Sequence, residues 1–152
     1  MRRSGRSGRP AGGCLSRGER IASRSRSGWG VPSRCAWLGG RVEQLRDVQI
    51  RNGDANRQVW LLEFGWTSDK VHPAYSWFAV SEDQKAQNIL EAFQYARTNW
   101  TPWVGVMTLW TMADPSWSTD REEYWWAITN SDGSARAAYN TVKTARVGGS
   151  LG

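Results

Sequence analysis

The residues of this chain best suited to chemistry gather around one carboxylate. Glu63 lies in Gln58-Val-Trp-Leu-Leu-Glu63-Phe-Gly-Trp66, an apolar run of strand formers interrupted by a single acid. Buried and unpaired, an ionised group there would cost several kcal/mol or shift its pKa. The acid is therefore either at a strand end that opens to water or has a task, and the task open to a carboxylate is nucleophilic or acid–base catalysis. Indole rings are the second resource. The chain has 11 Trp, nine of them after Arg41, and an indole offers a large flat face for packing or for stacking on sugars and bases. Many must be core; Trp66, Trp77, Trp110 and Trp117 are the candidates for stacking. His72 is the only histidine, which excludes a multi-histidine metal site, and a lone loop histidine is either solvated or a substrate contact. Cys14 and Cys35 have no Cys or His at ligand spacing, so they indicate neither a metal site nor a disulfide framework. No cofactor is expected.

The elements that must position these groups follow from periodicity. Val42, Leu45 and Val48 or Gln49 predict a helix beginning at Arg41, stopped by Asn52-Gly53, and a short polar connection then enters the Glu63 strand, expected to be buried on both faces. Residues 67–80 form a loop in which Tyr75, Trp77 and Phe78 either wall a groove or pin the loop to its own helix. Ser81-Glu-Asp-Gln84 is a capping box, and Ala86, Ile89, Leu90, Phe93 and Ala96 or Arg97 make the core stripe of the helix it starts. Asn99 and Pro102 end that helix before a second strand, 104–110. In the next loop, Asp114, Asp120, Glu122 and Glu123 read as solvated or helix-start charges rather than catalysts. A short apolar run, Trp125-Trp126-Ala-Ile-Thr, a turn at Asn130-Ser-Asp132-Gly133 and a helical stripe of Ala138, Tyr139, Val142 and Ala145 complete the pattern. Strand, helix and strand make a βαβ unit, so both strands end on one face and bring Glu63 and Trp110 about 5 Å apart in the sheet direction.

Trp-Leu-Leu-Glu63-Phe-Gly-Trp resembles the seventh-strand signature of the clan A glycoside hydrolases, the retaining, cellulase-like barrel enzymes. The strand ending at Trp110, the loop rich in aromatics and acids, and Trp126-Ala-Ile-Thr-Asn-Ser-Asp132-Gly133-Ser-Ala-Arg-Ala-Ala-Tyr139 are similar to the same family, in that order and spacing. The resemblance implies a partial (β/α)8 TIM barrel, running from about the sixth helix to the eighth, with Glu63 as nucleophile and Trp110 as the stacking platform for a sugar. It implies O-glycosyl hydrolysis in carbohydrate metabolism, with an oligo- or polysaccharide as substrate. The alternative role for Trp110 is packing at the barrel rim. A complete barrel takes about 250 residues, and the resemblance covers its last quarter to third. The family's acid/base is a Glu that follows an Asn, and no Asn-Glu pair occurs here. The chain alone is therefore expected to be an inactive fragment, with a non-catalytic carbohydrate-binding protein as the alternative.

Charge divides the chain. The formal net charge is +6, yet residues 1–40 hold nine Arg against one Glu, and the remainder is slightly acidic. That first segment is rich in Arg, Ser and Gly, lacks periodicity and is expected to be disordered. It admits three readings: a nucleic-acid-binding tail, an organellar transit peptide, or GC-rich DNA translated in a wrong frame. Only Trp29 and Trp37 occur there, too little aromatic interleaving for a single-strand binder, which counts against nucleic acid as a partner. The expected divisions are 1–40, a barrel portion at 41–147 and a flexible end at 148–152. No run of 18 apolar residues predicts a membrane span, and no apolar stretch after the basic start predicts a secretory signal. Localisation and any complementing chain stay open.

Overall fold

A computed structural model describes residues 36–151; the expectations for the Arg-rich segment before residue 36, with Cys14 and Cys35, lie outside the described residues. The elements alternate. Helix α1 (Ala36–Arg51) leads to strand β1 (Val59–Phe64), a short helix α2 (Pro73–Ser76), the long helix α3 (Glu82–Asn99), strand β2 (Val104–Leu109), a short helix α4 (Glu122–Trp126) and helix α5 (Ala137–Val147). Among the described residues the sheet consists of β1 and β2, paired in parallel. This is a mixed α/β arrangement. No helix among the described residues is long and apolar enough to cross a membrane.

Several boundaries differ from the sequence reading. Helix α1 begins at Ala36, five residues before its expected start. It ends as expected: Gly53 takes φ 82°, its N–H reaches the Ile50 carbonyl, and the Asn52 side chain donates to the Val48 carbonyl. The expected loop 67–80 contains α2, and the apolar run expected at Trp125 is entered through α4.

The core forms on one side of the sheet. Ala86, Ile89, Ile128 and Ala138 are buried together, with Trp66, Phe93, Leu109, Tyr139 and Val142 packed around them. A second cluster joins Val42, Ala96 and Trp100 to Leu61, Trp103, Val104 and Met107. Helix α3 thus supplies both clusters from the predicted stripe. Its N-terminus is capped by Ser81, whose Oγ accepts from the Gln84 N–H at 3.1 Å. The return half of the capping box is not made, because the Gln84 side-chain amide turns to Asn88 at 2.8 Å.

Strand β1 is not buried on both faces. Trp60 is 61 % exposed and Leu62 66 %. Val59 and Phe64 are buried, Leu61 is partly buried, and Glu63 is exposed. Strict alternation would put Glu63 on the side of Val59 and Leu61, and Phe64 opposite. Instead the β1–β2 register is irregular between Leu61 and Phe64, and the pleat shifts by one residue. That shift turns Phe64 into the core, edge-on to Phe93 at 5.0 Å, and leaves Leu62 and Glu63 both outside.

Ile89 has no exposed surface and lies at the centre of the first cluster. Truncating it removes buried methyl groups and leaves a cavity between α3 and α5. Ile89→Ala should destabilise the chain by about 2–5 kcal/mol, read as a lower urea midpoint at unchanged slope.

Candidate functional site

The parallel pairing brings the last residues of β1 and β2 side by side. Phe64 pairs with Leu109, and one residue further the Trp110 N–H donates to the Phe64 carbonyl at 2.8 Å. Gly65 allows the closeness. A Cβ there would stand 2.5 Å from the Trp110 carbonyl oxygen, a backbone atom with little room to retreat. Trp110 is half-buried, and the peptide that joins it to Thr111 is cis. The Glu63 side chain faces solvent with no hydrogen bond or ion pair to any described residue.

A free carboxylate at a strand end can attack an electrophilic carbon or take up a proton. The neighbouring acids are occupied elsewhere. Asp114 accepts from the Oγ and then the backbone N–H of Ser116, which hold its carboxyl below the usual range, and Asp132 is held down likewise by the side chain and backbone of Ser134. Asp120 accepts from Ser118, Glu123 meets Arg121 at 3.7 Å, and Glu122 faces Tyr75, whose phenol its hydrogen bond pushes upward. Asp114 and Asp120 are exposed loop charges and Glu122 and Glu123 open α4, although Glu122 Oε2 is buried without a hydrogen-bond partner rather than solvated.

The other candidate residues scatter. Trp66 packs into the first core cluster, its indole nitrogen 3.2 Å from the Asn88 side-chain amide. Trp77 is 81 % exposed, donates to the Ala74 carbonyl and stands edge-on to Phe78, which in turn lies against Trp126. Trp117 is half-buried in the loop after β2, where its carbonyl accepts from Ser131. Both ring nitrogens of His72 are engaged by protein acceptors, Asp69 at 2.7 Å and the Asp120 carbonyl at 3.0 Å. Among them only Glu63 and Trp110 lie at the ends of paired strands, where Phe64, next to Glu63, accepts from the Trp110 N–H. An open depression between α3 and α5, lined by Leu90, Asn140, Thr141, Thr144, Ala145 and Ser150, shares no residue with them.

What positions the loops around these strand ends is a buried ammonium, Lys85, which is not among the residues expected from the sequence. Lys85 has no exposed surface. Its Nζ donates to Glu82 Oε1 at 2.9 Å and to the carbonyls of Trp125 and Ala127, both at 3.0 Å, with Ser68 Oγ at 3.5 Å. The same Glu82 oxygen accepts from Ser68 at 2.5 Å and lies 3.7 Å from Arg136. Arg136 donates to the carbonyls of Tyr124 and Ala127 and lies over the Tyr124 ring at 4.1 Å. Burial pushes the Lys85 pKa down, and the Glu82 carboxylate opposes the shift. The signal was present in the sequence: Lys85 stands four residues before Ile89, in register with the buried Ala92 and Ala96.

Among the described residues no cluster of His, Cys, Asp and Glu has the makings of a metal site. No family model matches the chain, and neither a curated protein nor a solved structure matches it.

Two substitutions test this arrangement. Lys85→Met would remove the ammonium shared by Glu82 and the Trp125 and Ala127 carbonyls, leaving the partly buried Glu82 carboxylate to Ser68 and Arg136 alone, and should cost about 3–5 kcal/mol in urea unfolding. Gly65→Ala forces β1 and β2 apart at the Trp110 carbonyl and should cost about 1–3 kcal/mol, with amide chemical-shift changes concentrated at Phe64 and Trp110.

Proposed function

We propose that residues 41–147 are the carboxyl-terminal portion of a retaining glycoside hydrolase barrel of the clan A type, with Glu63 in the place of the nucleophile and Trp110 in that of the sugar platform. Supporting this is the parallel pairing of β1 and β2, which sets a solvent-facing carboxylate and an indole at adjacent strand ends, next to a glycine that admits nothing larger. In such a site the axial C–H groups of a sugar ring lie on the indole while the carboxylate meets the anomeric carbon. The apolar surface of Trp60, Leu62 and Val106 is what further strands and helices of a barrel would cover.

The chain alone is not expected to hydrolyse glycosides. Retention needs a second carboxyl about 5–5.5 Å from the first to protonate the leaving group. The acids of the adjoining loops and helix starts are engaged by His72, Lys85, Ser116, Ser118, Arg121 and Tyr75. Lacking an acid/base costs on the order of 10² to 10⁴ in rate. A second reading, sugar binding without hydrolysis, is favoured by the 81 % exposure of Trp77.

The encoding DNA provides the first test. Translated in all three frames upstream of the Arg41 codon, it should yield further strand and helix patterns and an Asn-Glu pair; their absence from every frame would mean that the barrel has been abandoned and would make sugar binding, not hydrolysis, the leading reading. On the protein, aryl glycosides should be turned over no faster than by Glu63→Gln, and turnover abolished by that substitution would refute the expected inactivity. Quenching of indole fluorescence by oligosaccharides that survives Glu63→Gln and is lost in Trp77→Ala would favour the binding reading.

A further inference from the structure

His72 joins two loops that are distant in sequence. Asp69, fully buried, accepts through Oδ1 from the backbone N–H groups of Val71 and His72, both at 2.9 Å, which fixes the turn and aims Oδ2 at the His72 ring. Nδ1 meets that oxygen at 2.7 Å, and on the far side of the ring Nε2 meets the main-chain carbonyl of Asp120, 48 residues away, at 3.0 Å. A carbonyl can only accept, and so can an ionised carboxylate. Neutral imidazole carries one N–H and can satisfy one of the two; imidazolium carries two and satisfies both.

We propose that His72 is a protonation-dependent clasp between the loop after β1 and the loop after β2, closed when the ring donates from both nitrogens and open at Asp120 when the ring is neutral. The proton that stays is the one on Nδ1, because a short bond to a buried carboxylate is stronger than one to a carbonyl. The clasp does not depend on the glycosidase reading; it governs how the two loops flank the strand ends, whatever ligand those ends take.

The groups facing the ring favour the closed form. Asp69 acts from the same loop and Glu122 from the start of α4. Tyr75 on α2 faces Glu122, Glu123 and Asp69, while Arg121 next to Asp120 is drawn to Glu123 at 3.7 Å, and the Asp120 carboxylate accepts from Ser118 at 3.2 Å. The Asp69 hydrogen bond above all, against some loss by burial, holds the His72 pKa above its ordinary 6.5. For Asp69, burial pushes upward but is outweighed by the two backbone N–H groups and the imidazole, which together hold its carboxyl below 3.8. The contribution of His72 to stability is therefore complete below pH 6.5 and is lost as pH rises through the raised folded value; that of Asp69 is complete above 3.8 and is lost on acidification through its lowered value. The clasp is closed between these limits.

The chain has a single histidine, so the ring nitrogens of the full-length protein can be followed by long-range ¹H–¹⁵N spectra from about pH 5 to 9. The expected result is a midpoint above 6.5, a neutral form protonated on Nδ1, and, through the same midpoint, about a tenfold loss of intrinsic-rate-corrected exchange protection at the Arg121 amide, whose N–H donates to the Ser118 carbonyl in the clasped loop and opens more readily once the charged donor at the adjoining Asp120 carbonyl is lost. Asp69→Asn keeps the Oδ1 acceptor and should lower the midpoint. His72→Gln should leave Arg121 weakly protected at every pH, and it serves as the second variant should Asp69→Asn fail to fold. A wild-type midpoint at or below 6.5 would overturn the proposal. So would a raised midpoint with unchanged Arg121 protection, since the ring would then be paired to Asp69 without joining the loops.

Discussion

Burying the Lys85 ammonium obliges the fold to supply oxygen atoms from separate segments, and the loops around the strand ends are arranged by that demand. Glu82 comes from the first turn of α3, Ser68 from the loop after β1, and the Trp125 and Ala127 carbonyls from the end of α4. Removing any one leaves a charge or a dipole short of a partner in a region with little water, which costs more than an average bond contributes. Arg136 extends the constraint to the segment before α5 by reaching the Ala127 carbonyl from the other side. The two loops and α3 are thus locked by electrostatics where apolar packing is sparse, and Ile89 and Ala138 complete the lock beneath.

Beside this rigid assembly, the candidate site is simple. It consists of a carboxylate turned outward by a pleat shift, a half-buried tryptophan at the next strand end, and a glycine against that tryptophan's carbonyl. Backbone pairing sets the two strand ends side by side, although little else encloses them. The exposed Trp60 and Leu62 beside Glu63 mark the limit of what two strands can bury: a two-stranded sheet covered on one face leaves the other to solvent. Helix α1 shows the same shortage. Val42 is buried, but Leu45, Val48 and Ile50 remain about half exposed, and the helix is held largely by polar contacts, Glu43 to Tyr95 and Trp100, and Arg46 to the carbonyls of Ala55 and Arg57.

Local signals were read well where they concerned one segment at a time. The Ser81 cap, the α3 stripe, the stop at Asn52-Gly53 and the α5 stripe are properties of neighbouring residues, and the structure has them where the periodicity puts them. The return half of the capping box failed because Asn88, one turn on, offers the Gln84 amide a nearer partner. The expected burial of β1 on both faces fails at Trp60 and Leu62, because neither the pleat shift nor the missing cover is visible in a run of apolar letters.

The order of the three long helices and the two strands, the parallel direction of β1 and β2, and the placing of Glu63 and Trp110 at neighbouring strand ends were determined by the sequence itself, because period, caps and crossover length are local quantities. Tertiary structure alone decided which side of β1 meets solvent, that a lysine in a core stripe would be buried, and that His72 would close on a carbonyl 48 residues away. The reason is physical: the cost of a polar group depends on the partners that reach it, and those partners come from segments whose separation in the chain says nothing about their distance in the fold.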